Sequence, residues 1–132
     1  METNREAAAI TVARAHVEAW SRHDFEAARA ALASDVKVRA QTTQNLMKAE
    51  TNLRGVEPYM EGLELFARAV ERGSAKLISA TGDQHNALLM LTVRASFAPG
   101  APAVTMPMAR LYLVDDNKKI TSEQVIFYAA EG

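Results

Sequence analysis

The chain has 132 residues, 48% of them hydrophobic and 23% charged, which allows one hydrophobic core and excludes a disordered chain. A formal net charge of -1, with both signs scattered, argues against nucleic acid or an anionic membrane as partner. Without cysteine, disulfides, thiolate catalysis and cysteine-ligated metals are excluded, and the three histidines lack the spacing of metal ligands. We therefore expect one cytoplasmic domain over residues 1–132, with no metal, no cofactor and no secretory leader.

Two helices are predicted at the N-terminus. Thr3 and Glu6 form a T-x-x-E capping box, and the apolar residues behind it fall on one helical stripe that ends at Trp20. Asp24 is a suitable N-cap for a short second helix. Since the link between the two helices is short, we expect them to form a compact hairpin.

A strand and a third helix follow. From Asp35 onward, apolar and polar residues alternate with a period of two, as in a half-buried strand. Residues 42–54 are polar and ambiguous, and residues 47–53 are one candidate for a short strand. Pro58 suits the first turn of a helix, and the apolar stripe behind it stops at Gly73. This pattern predicts that the third helix is the longest.

The rest of the chain predicts four strands separated by turn signals, at residues 75–81, 86–97, 104–114 and 120–128. Strands joined in succession by short hairpins form an antiparallel sheet. Helices at the front of the chain and strands at the back indicate an α+β domain, in which the helices pack on one face of a curved sheet.

The order and spacing of several short motifs resemble the nuclear-transport-factor-2-like (NTF2-like) superfamily, over nearly the whole chain. The motifs are Val17-Glu18-Ala19-Trp20, His23-Asp24-Phe25, Leu32-Ala33-Ser34-Asp35-Val36, Gly55, and Val114-Asp115-Asp116-Asn117-Lys118-Lys119-Ile120. The resemblance implies a cystatin-like cone, in which a curved antiparallel sheet carries three N-terminal helices on its concave face. Ketosteroid isomerases, SnoaL-type polyketide cyclases and limonene epoxide hydrolases share this fold, so the fold does not identify the reaction.

Carried over position by position, the ketosteroid isomerase pattern fails. Its general-base aspartate falls at Ala40 and the protonated aspartate of its oxyanion hole at Ala109, while His16 replaces the helix-one tyrosine. Loss of the base and of one donor removes most of such a rate, so we reject that activity. The cyclase acid falls near Val125, where the nearest acid is Glu123, and the Asp-Arg-Asp set of the epoxide hydrolases has no counterpart.

Glu123 and His16 are the candidate catalytic residues. Apolar alternation turns Leu89, Leu91 and Val93 inward, and the resemblance turns Glu123 inward on the last strand. A carboxylate in an apolar cone has its pKa raised by desolvation, as a general base requires. Alternatively, Glu123 lies solvated near the rim or is turned outward by a bulge, and His16 is a packing histidine. The residues expected to line a ligand pocket, or simply the core, are Trp20, Tyr59, Phe66, Leu91, Val93, Ala109, Leu111, Val125 and Phe127.

Three functions are compatible with these observations. The protein is a SnoaL-like enzyme that performs cyclisation, isomerisation, dehydration or hydrolysis on a small apolar substrate without a cofactor, or it is a non-catalytic binding protein for a hydrophobic ligand. A third interpretation makes it mainly a dimerisation module. Loss of both isomerase aspartates favours binding or an unassigned reaction over any named activity. His16 and Glu123 facing one cavity, within about 6 Å of each other, would favour the enzyme.

A homodimer through the outer face of the sheet is also expected. If Ala109 and Leu111 face inward, their neighbours in the strand face outward and form an apolar surface too large to leave bare. Sheet-to-sheet dimers are also what the resemblance implies. In the alternative, the arginines cover the methionines and the protein remains a monomer. The residues assigned to this interface are Met90, Arg94, Met106, Met108, Arg110 and Tyr112.

Overall fold

The computed structural model describes residues 6–42, 50–96 and 98–127, apart from the side chains of residues 41, 42, 50 and 51. The helices are α1 (Ala8–Ser21), α2 (Phe25–Ala30) and α3 (Val56–Arg68), and the strands are β1 (Leu32–Thr42), β2 (Glu50–Arg54), β3 (Lys76–Gly82), β4 (Asn86–Ala95), β5 (Val104–Val114) and β6 (Ile120–Phe127). The α+β prediction is therefore confirmed, and each predicted element has a counterpart. The third helix is not the longest, because α3 has 13 residues and α1 has 14.

The strands form one curved, unclosed sheet in the order β2-β1-β6-β5-β4-β3. The pairs from β3 to β6 are antiparallel, as their short connections predicted. One pairing differs from the expected antiparallel sheet, because β1 lies parallel to β6. Periodicity reports which residues share a face of a strand but not which distant strand lies beside it, so this pairing was not visible in the sequence.

The helices pack on the inner face of the sheet, with α1 against β4 and β5 and α3 against β1. Trp20 is fully buried in the core between them. The predicted N-cap is confirmed at the second helix, where the Asp24 carboxylate accepts from the Ala27 N–H at 3.1 Å. Of the predicted capping box, Thr3 lies outside the described residues, while Glu6 is paired with Arg14. None of the helices described here is long and apolar enough to cross a membrane.

The inward face of β5 is the opposite of the predicted one. Leu111 and Leu113 are exposed, whereas Met108, Arg110 and Tyr112 are buried. Ala109 pairs with Met90 on the outer side and not with the inward residues of β4. Four of the predicted interface residues therefore lie inside, namely Met106, Met108, Arg110 and Tyr112, and among the others Met90 and Arg94 lie on the outer face as expected.

A β-bulge explains this error. Val114 pairs with Ile120, and an uninterrupted hairpin from that pair would place Leu111 opposite Glu123 on the same face. The register shifts by one residue between Leu113 and Val114, so Tyr112 lies opposite Glu123 instead. A one-residue slip transfers every side chain of a strand to the other face. The predicted orientation of β6 was right, and that of β5 was wrong because the bulge lies between them.

Candidate active site

Five polar side chains meet inside the fold, and we call them the polar cluster. Each is at most 2% exposed, and they come from four elements: His16 from α1, Tyr59 from α3, Arg110 and Tyr112 from β5, and Glu123 from β6. Buried charged and polar groups are rare unless they are paired, so we expect members of the cluster to pair with one another.

Local sequence positions each member of the cluster. His16 lies on the buried stripe of α1, one helical turn from Trp20, and Tyr59 lies in the first turn of α3. Arg110 and Tyr112 are two residues apart on β5 and therefore share its inner face. Glu123 joins them because it pairs with Tyr112 across the β5–β6 ladder. The bulge described above is thus what brings arginine and carboxylate together.

Arg110 and Glu123 form a buried ion pair, with 2.7 Å between the guanidinium Nη1 and the carboxylate Oε2. The guanidinium also stacks 4.8 Å above the centroid of the Trp20 ring and 5.5 Å from that of Phe66. Burial alone would raise the pKa of Glu123, but the charge of Arg110, together with His16 and the two tyrosines, lowers it below its ordinary value. The prediction of a raised pKa is therefore wrong, because it lacked the buried arginine.

Tyr59 joins the two predicted catalytic residues. Its hydroxyl donates to Oε1 of Glu123 at 2.5 Å and lies 3.1 Å from Nε2 of His16. Because both atoms contact one hydroxyl oxygen, they are less than about 6 Å apart, the separation that an acid–base pair requires. The sequence predicts Tyr59 in the pocket lining but does not reveal its position between the two candidates.

A chain of three hydrogen-bond contacts runs from the Ala28 carbonyl through His16 and Tyr59 to Glu123. This chain has one hydrogen too few. Its three contacts need three hydrogens, while a neutral imidazole and a phenol beside an ionised carboxylate supply two. The Ala28 carbonyl, 2.9 Å from Nδ1 of His16, can only accept, so the imidazole hydrogen lies on Nδ1. The phenol hydrogen of Tyr59 points to Glu123, which leaves two lone pairs facing each other between Nε2 and the phenol oxygen. The chain can therefore take up one more proton.

The pKa shifts agree with this account of the resting state. Burial lowers the pKa of His16 more strongly than Glu123 and the Ala28 carbonyl raise it, so the imidazole is neutral near pH 7. Burial, with the negative charge of Glu123, raises the pKa of Tyr59 well above 10, so its phenol stays protonated. The resting cluster therefore holds one arginine cation, one carboxylate and three neutral side chains, which are the imidazole of His16 and the phenols of Tyr59 and Tyr112.

Two buried donors near the cluster are left without a partner among the described residues. They are the indole N–H of Trp20 and the hydroxyl of Tyr112. The Tyr112 hydroxyl lies close enough to Glu123 to help lower the pKa of that carboxyl, but it makes no hydrogen bond of normal length and angle. Unsatisfied buried donors are uncommon in native proteins, so these two are available to an oxygen atom of a bound molecule.

Most of the predicted lining residues lie on the inner side of the sheet, and two lie on the outer side. Those on the inner side are Trp20, Tyr59, Phe66, Leu91, Val93, Val125 and Phe127, of which Phe66 and Phe127 are partly buried. Ala109 and Leu111 lie on the outer side, so their assignment to the lining is wrong, and Ala109 cannot occupy an oxyanion-hole position. Arg110 and Tyr112 were missed, although an arginine within an otherwise apolar strand opposite a glutamate-bearing strand was the available signal.

The described part of the chain contains no group of side chains that could ligate a metal ion. In residues 6–42, 50–96 and 98–127, no three His, Asp or Glu side chains are placed to hold one metal ion.

Comparison with known proteins identifies the class. A family model described as a SnoaL-like domain matches residues 13–123. A solved structure from Kribbella flavida is 26% identical, with a TM-score of 0.74, and the match covers 92% of this chain and 88% of that one. No curated protein sequence matches the chain. The fold is therefore that of the NTF2-like superfamily. Within it, the chain belongs to the family of SnoaL-like domains.

Two structures from Mycobacterium tuberculosis share the fold at lower identity. An LEH-like epoxide hydrolase is 23% identical with a TM-score of 0.68, and the match covers 91% of this chain and 82% of that one. RV0760c, solved in complex with estradiol-17beta-hemisuccinate, is 14% identical with a TM-score of 0.70, and the match covers 91% of this chain and 93% of that one.

Proposed function

We propose that this protein binds a small, largely apolar molecule against the inner face of the sheet and performs cofactor-free acid–base chemistry on it with the polar cluster. The observation that carries the proposal is the chain from Glu123 through Tyr59 to His16, which lacks one hydrogen. A buried chain that can accept one proton is suited to hold a proton removed from a substrate and to return it.

The reaction that we propose follows from the number and positions of the protons in the chain from Glu123 to His16. When a C–H bond of the substrate breaks, its proton passes to the Glu123 carboxylate and the electron pair stays on the substrate. The new carboxyl hydrogen is donated to the Tyr59 oxygen, and the phenol hydrogen turns to Nε2 of His16, which fills every contact of the chain. Arg110 then stabilises the negative charge of the substrate. Return of the proton to another carbon is an isomerisation, and its return to a departing hydroxyl is a dehydration.

The class of ligand has separate support. Apolar and aromatic side chains surround the cluster, with Trp20, Phe66 and Phe127 in edge-on or tilted ring contacts. An apolar interior with a few convergent polar groups is the usual composition of a small-molecule site. One structure that shares the fold was solved in complex with estradiol-17beta-hemisuccinate, a largely apolar steroid ester, and another is an LEH-like epoxide hydrolase.

Deuterium incorporation tests the enzymatic proposal without knowledge of the natural substrate. The protein is incubated in D₂O with a panel of small cyclic ketones and enones, and exchange at carbon is followed by NMR. We expect exchange in at least one compound, and we expect Glu123→Gln and Tyr59→Phe each to slow it about 100-fold or more. His85→Gln is the control, because His85 is exposed and lies outside the polar cluster, and it should retain most of the rate.

Absence of exchange across the panel, or equal rates in Tyr59→Phe and the unmodified protein, would remove the enzymatic proposal. Native mass spectrometry of the protein, gently purified, identifies any small molecule that is retained and extends the panel to its chemical relatives.

A second candidate is a non-catalytic binding protein. The specific observation that favours it is the ion pair of Glu123 with Arg110, which neutralises the carboxylate and makes it a weak base. In that case a ligand oxygen accepts from the unpartnered Trp20 and Tyr112 donors and no bond breaks. Tyr112→Phe should then weaken binding of the retained ligand about tenfold. No turnover should be detected for the unmodified protein or for any variant.

We also propose a homodimer through the outer sheet face, with the interface residues corrected. Leu88 and Leu111 are paired across β4 and β5, and with Leu113 they are each about 40% exposed. A second copy related by a two-fold axis would bury these leucines against one another. Sedimentation at micromolar concentration tests this: a dimer that Leu111→Asp dissociates supports it, and a 14.4 kDa species for the unmodified protein contradicts it.

A further inference from the structure

A groove lies on the outer face of the sheet, beside the exposed leucines of β5, because Leu111 and Leu113 pair with Gln124 and Ser122 of β6. Strands β2, β1 and β6 form its floor, and its volume is about 480 Å³. Val38, Leu53 and Glu123 also line it, although the side chain of Glu123 is buried in the interior. Side chains that line the groove are Lys37, Arg39, Asn52, Arg54, Ser122 and Gln124.

Cross-strand pairing fixes the positions of these side chains. Lys37 is opposite both Arg54 on β2 and Ser122 on β6, so these three form one row across the groove. Arg39 is opposite Asn52 and Gln124, which form the next row. Residues opposite each other in a sheet have Cβ atoms about 5 Å apart, so each row presents its polar ends at one place.

The charge of the groove is of one sign among the described side chains. Its three charged side chains are all cations, and those of Lys37, Arg39 and Arg54 are exposed. Lys37 and Arg54 form no ion pair with a described residue, although most exposed arginines elsewhere, such as Arg94 with Glu71, do. Like charges directly opposite in a sheet are destabilising, and an anion between them adds two attractions that outweigh the repulsion.

We infer that this groove binds a small polyanion, a molecule that carries two or more phosphate or carboxylate groups. Arginine forks and an ammonium group are suited to such groups, and the neutral Ser122 and Gln124 side chains add hydrogen-bond donors beside them. The volume fits a metabolite-sized molecule and exceeds what a single inorganic phosphate fills. This site is separate from the polar cluster, because the sheet lies between the two.

Isothermal titration calorimetry on the full chain at low ionic strength, with pyrophosphate and with citrate as probes, tests the inference. We expect saturable binding of at least one probe at one site per chain. Lys37→Gln and Arg54→Gln should each weaken that binding about tenfold, since each removes one charge-assisted hydrogen bond. Preference for pyrophosphate assigns a phosphate ligand, and preference for citrate assigns a carboxylate ligand.

Lys76→Gln is the matched control, because Lys76 is an exposed strand lysine on β3, at the other edge of the sheet. It should change the affinity less than twofold. Absence of saturable binding to either probe, or an equal loss in the Lys76→Gln variant, would overturn the site. Duplex DNA that competes as strongly as the small anions would overturn the proposed ligand class. Thermal unfolding of each variant checks that the exposed substitutions leave the fold intact.

Discussion

A charged side chain lies on the inner face of β5 and an exposed apolar side chain lies on its outer face, which is the reverse of the usual arrangement. Its inner face carries Arg110, which is 2% exposed, and its outer face carries Leu111, which is 39% exposed. The arginine is stable inside because a carboxylate, two aromatic rings and a thioether surround it. A strand whose two faces are equally apolar cannot be oriented by hydrophobicity, and the buried partner of a charge decides its orientation instead.

The largest effect is expected from breaking the ion pair. Arg110→Met leaves the Glu123 carboxylate buried without its partner and should lower the free energy of unfolding by about 3–5 kcal/mol, measured by urea titration. The double variant with Glu123→Leu should recover much of this loss, because both charges are then absent. A loss below about 1 kcal/mol for Arg110→Met would contradict the inward orientation of β5.

The two inner tyrosines provide a matched pair with the same chemical change. Tyr59→Phe removes a hydrogen bond to a carboxylate and should lower the free energy of unfolding by about 1.5–3 kcal/mol. Tyr112→Phe removes a buried hydroxyl that has no partner among the described residues, and it should be neutral or stabilising. Equal losses for the two variants, in the same urea titration, would mean that the hydroxyl of Tyr112 is as well bonded as that of Tyr59.

A pH dependence is expected from His16. Its pKa in the folded state is lowered from 6.5, so below pH 6.5 the unfolded chain binds a proton that the folded chain does not. Stability should therefore fall with decreasing pH, by up to about 1.4 kcal/mol per pH unit until the lowered pKa is reached. Glu123, whose pKa is also lowered, adds a loss only at more acidic pH, below its ordinary value of 4.5.

His16→Gln should make the melting temperature less dependent on pH between pH 6.5 and pH 5. A slope that persists in His16→Gln would assign the pH dependence to other groups.

The smallest effect on stability is expected on the outer face. Leu111→Ser should change the free energy of unfolding of the monomer by about 0.5 kcal/mol or less, since its side chain is already partly in water. Measured at a concentration where the chain is monomeric, this variant is the direct counterpart of Arg110→Met. If Leu111→Ser lowered the free energy of unfolding as much as Arg110→Met, the inner and outer faces of β5 would contribute equally to stability.

Local patterns were sufficient for most of the fold. The bounds of β5 coincide with the prediction, the apolar alternation of β4 placed Leu89, Leu91 and Val93 inward as observed, and the Asp24 cap began α2. What the sequence did not reveal depends on contacts between distant segments. The parallel pairing of β1 with β6 is one such contact, and the bulge between β5 and β6 is another.

The candidate site was predictable in part for the same reason. Glu123 and His16 were found as single polar residues on apolar faces, and both lie inside. Their connection through Tyr59 joins residues that are 43 and 64 positions apart, and no local period encodes such a distance. Arg110 was assigned to the outside because the resemblance placed Ala109 and Leu111 inward, and adjacent residues of a strand face opposite sides.

The 2.5 Å hydrogen bond from Tyr59 to Glu123 also provides an NMR signal that reports on the interior of the protein. A proton in so short a bond to a carboxylate is strongly deshielded, and burial slows its exchange with water. It should therefore give a single resonance at very low field in the proton NMR spectrum, well separated from the amide envelope, and Tyr59→Phe should delete it. Any molecule that enters the interior and contacts Glu123 will shift this resonance, so one unlabelled sample can be screened against many compounds.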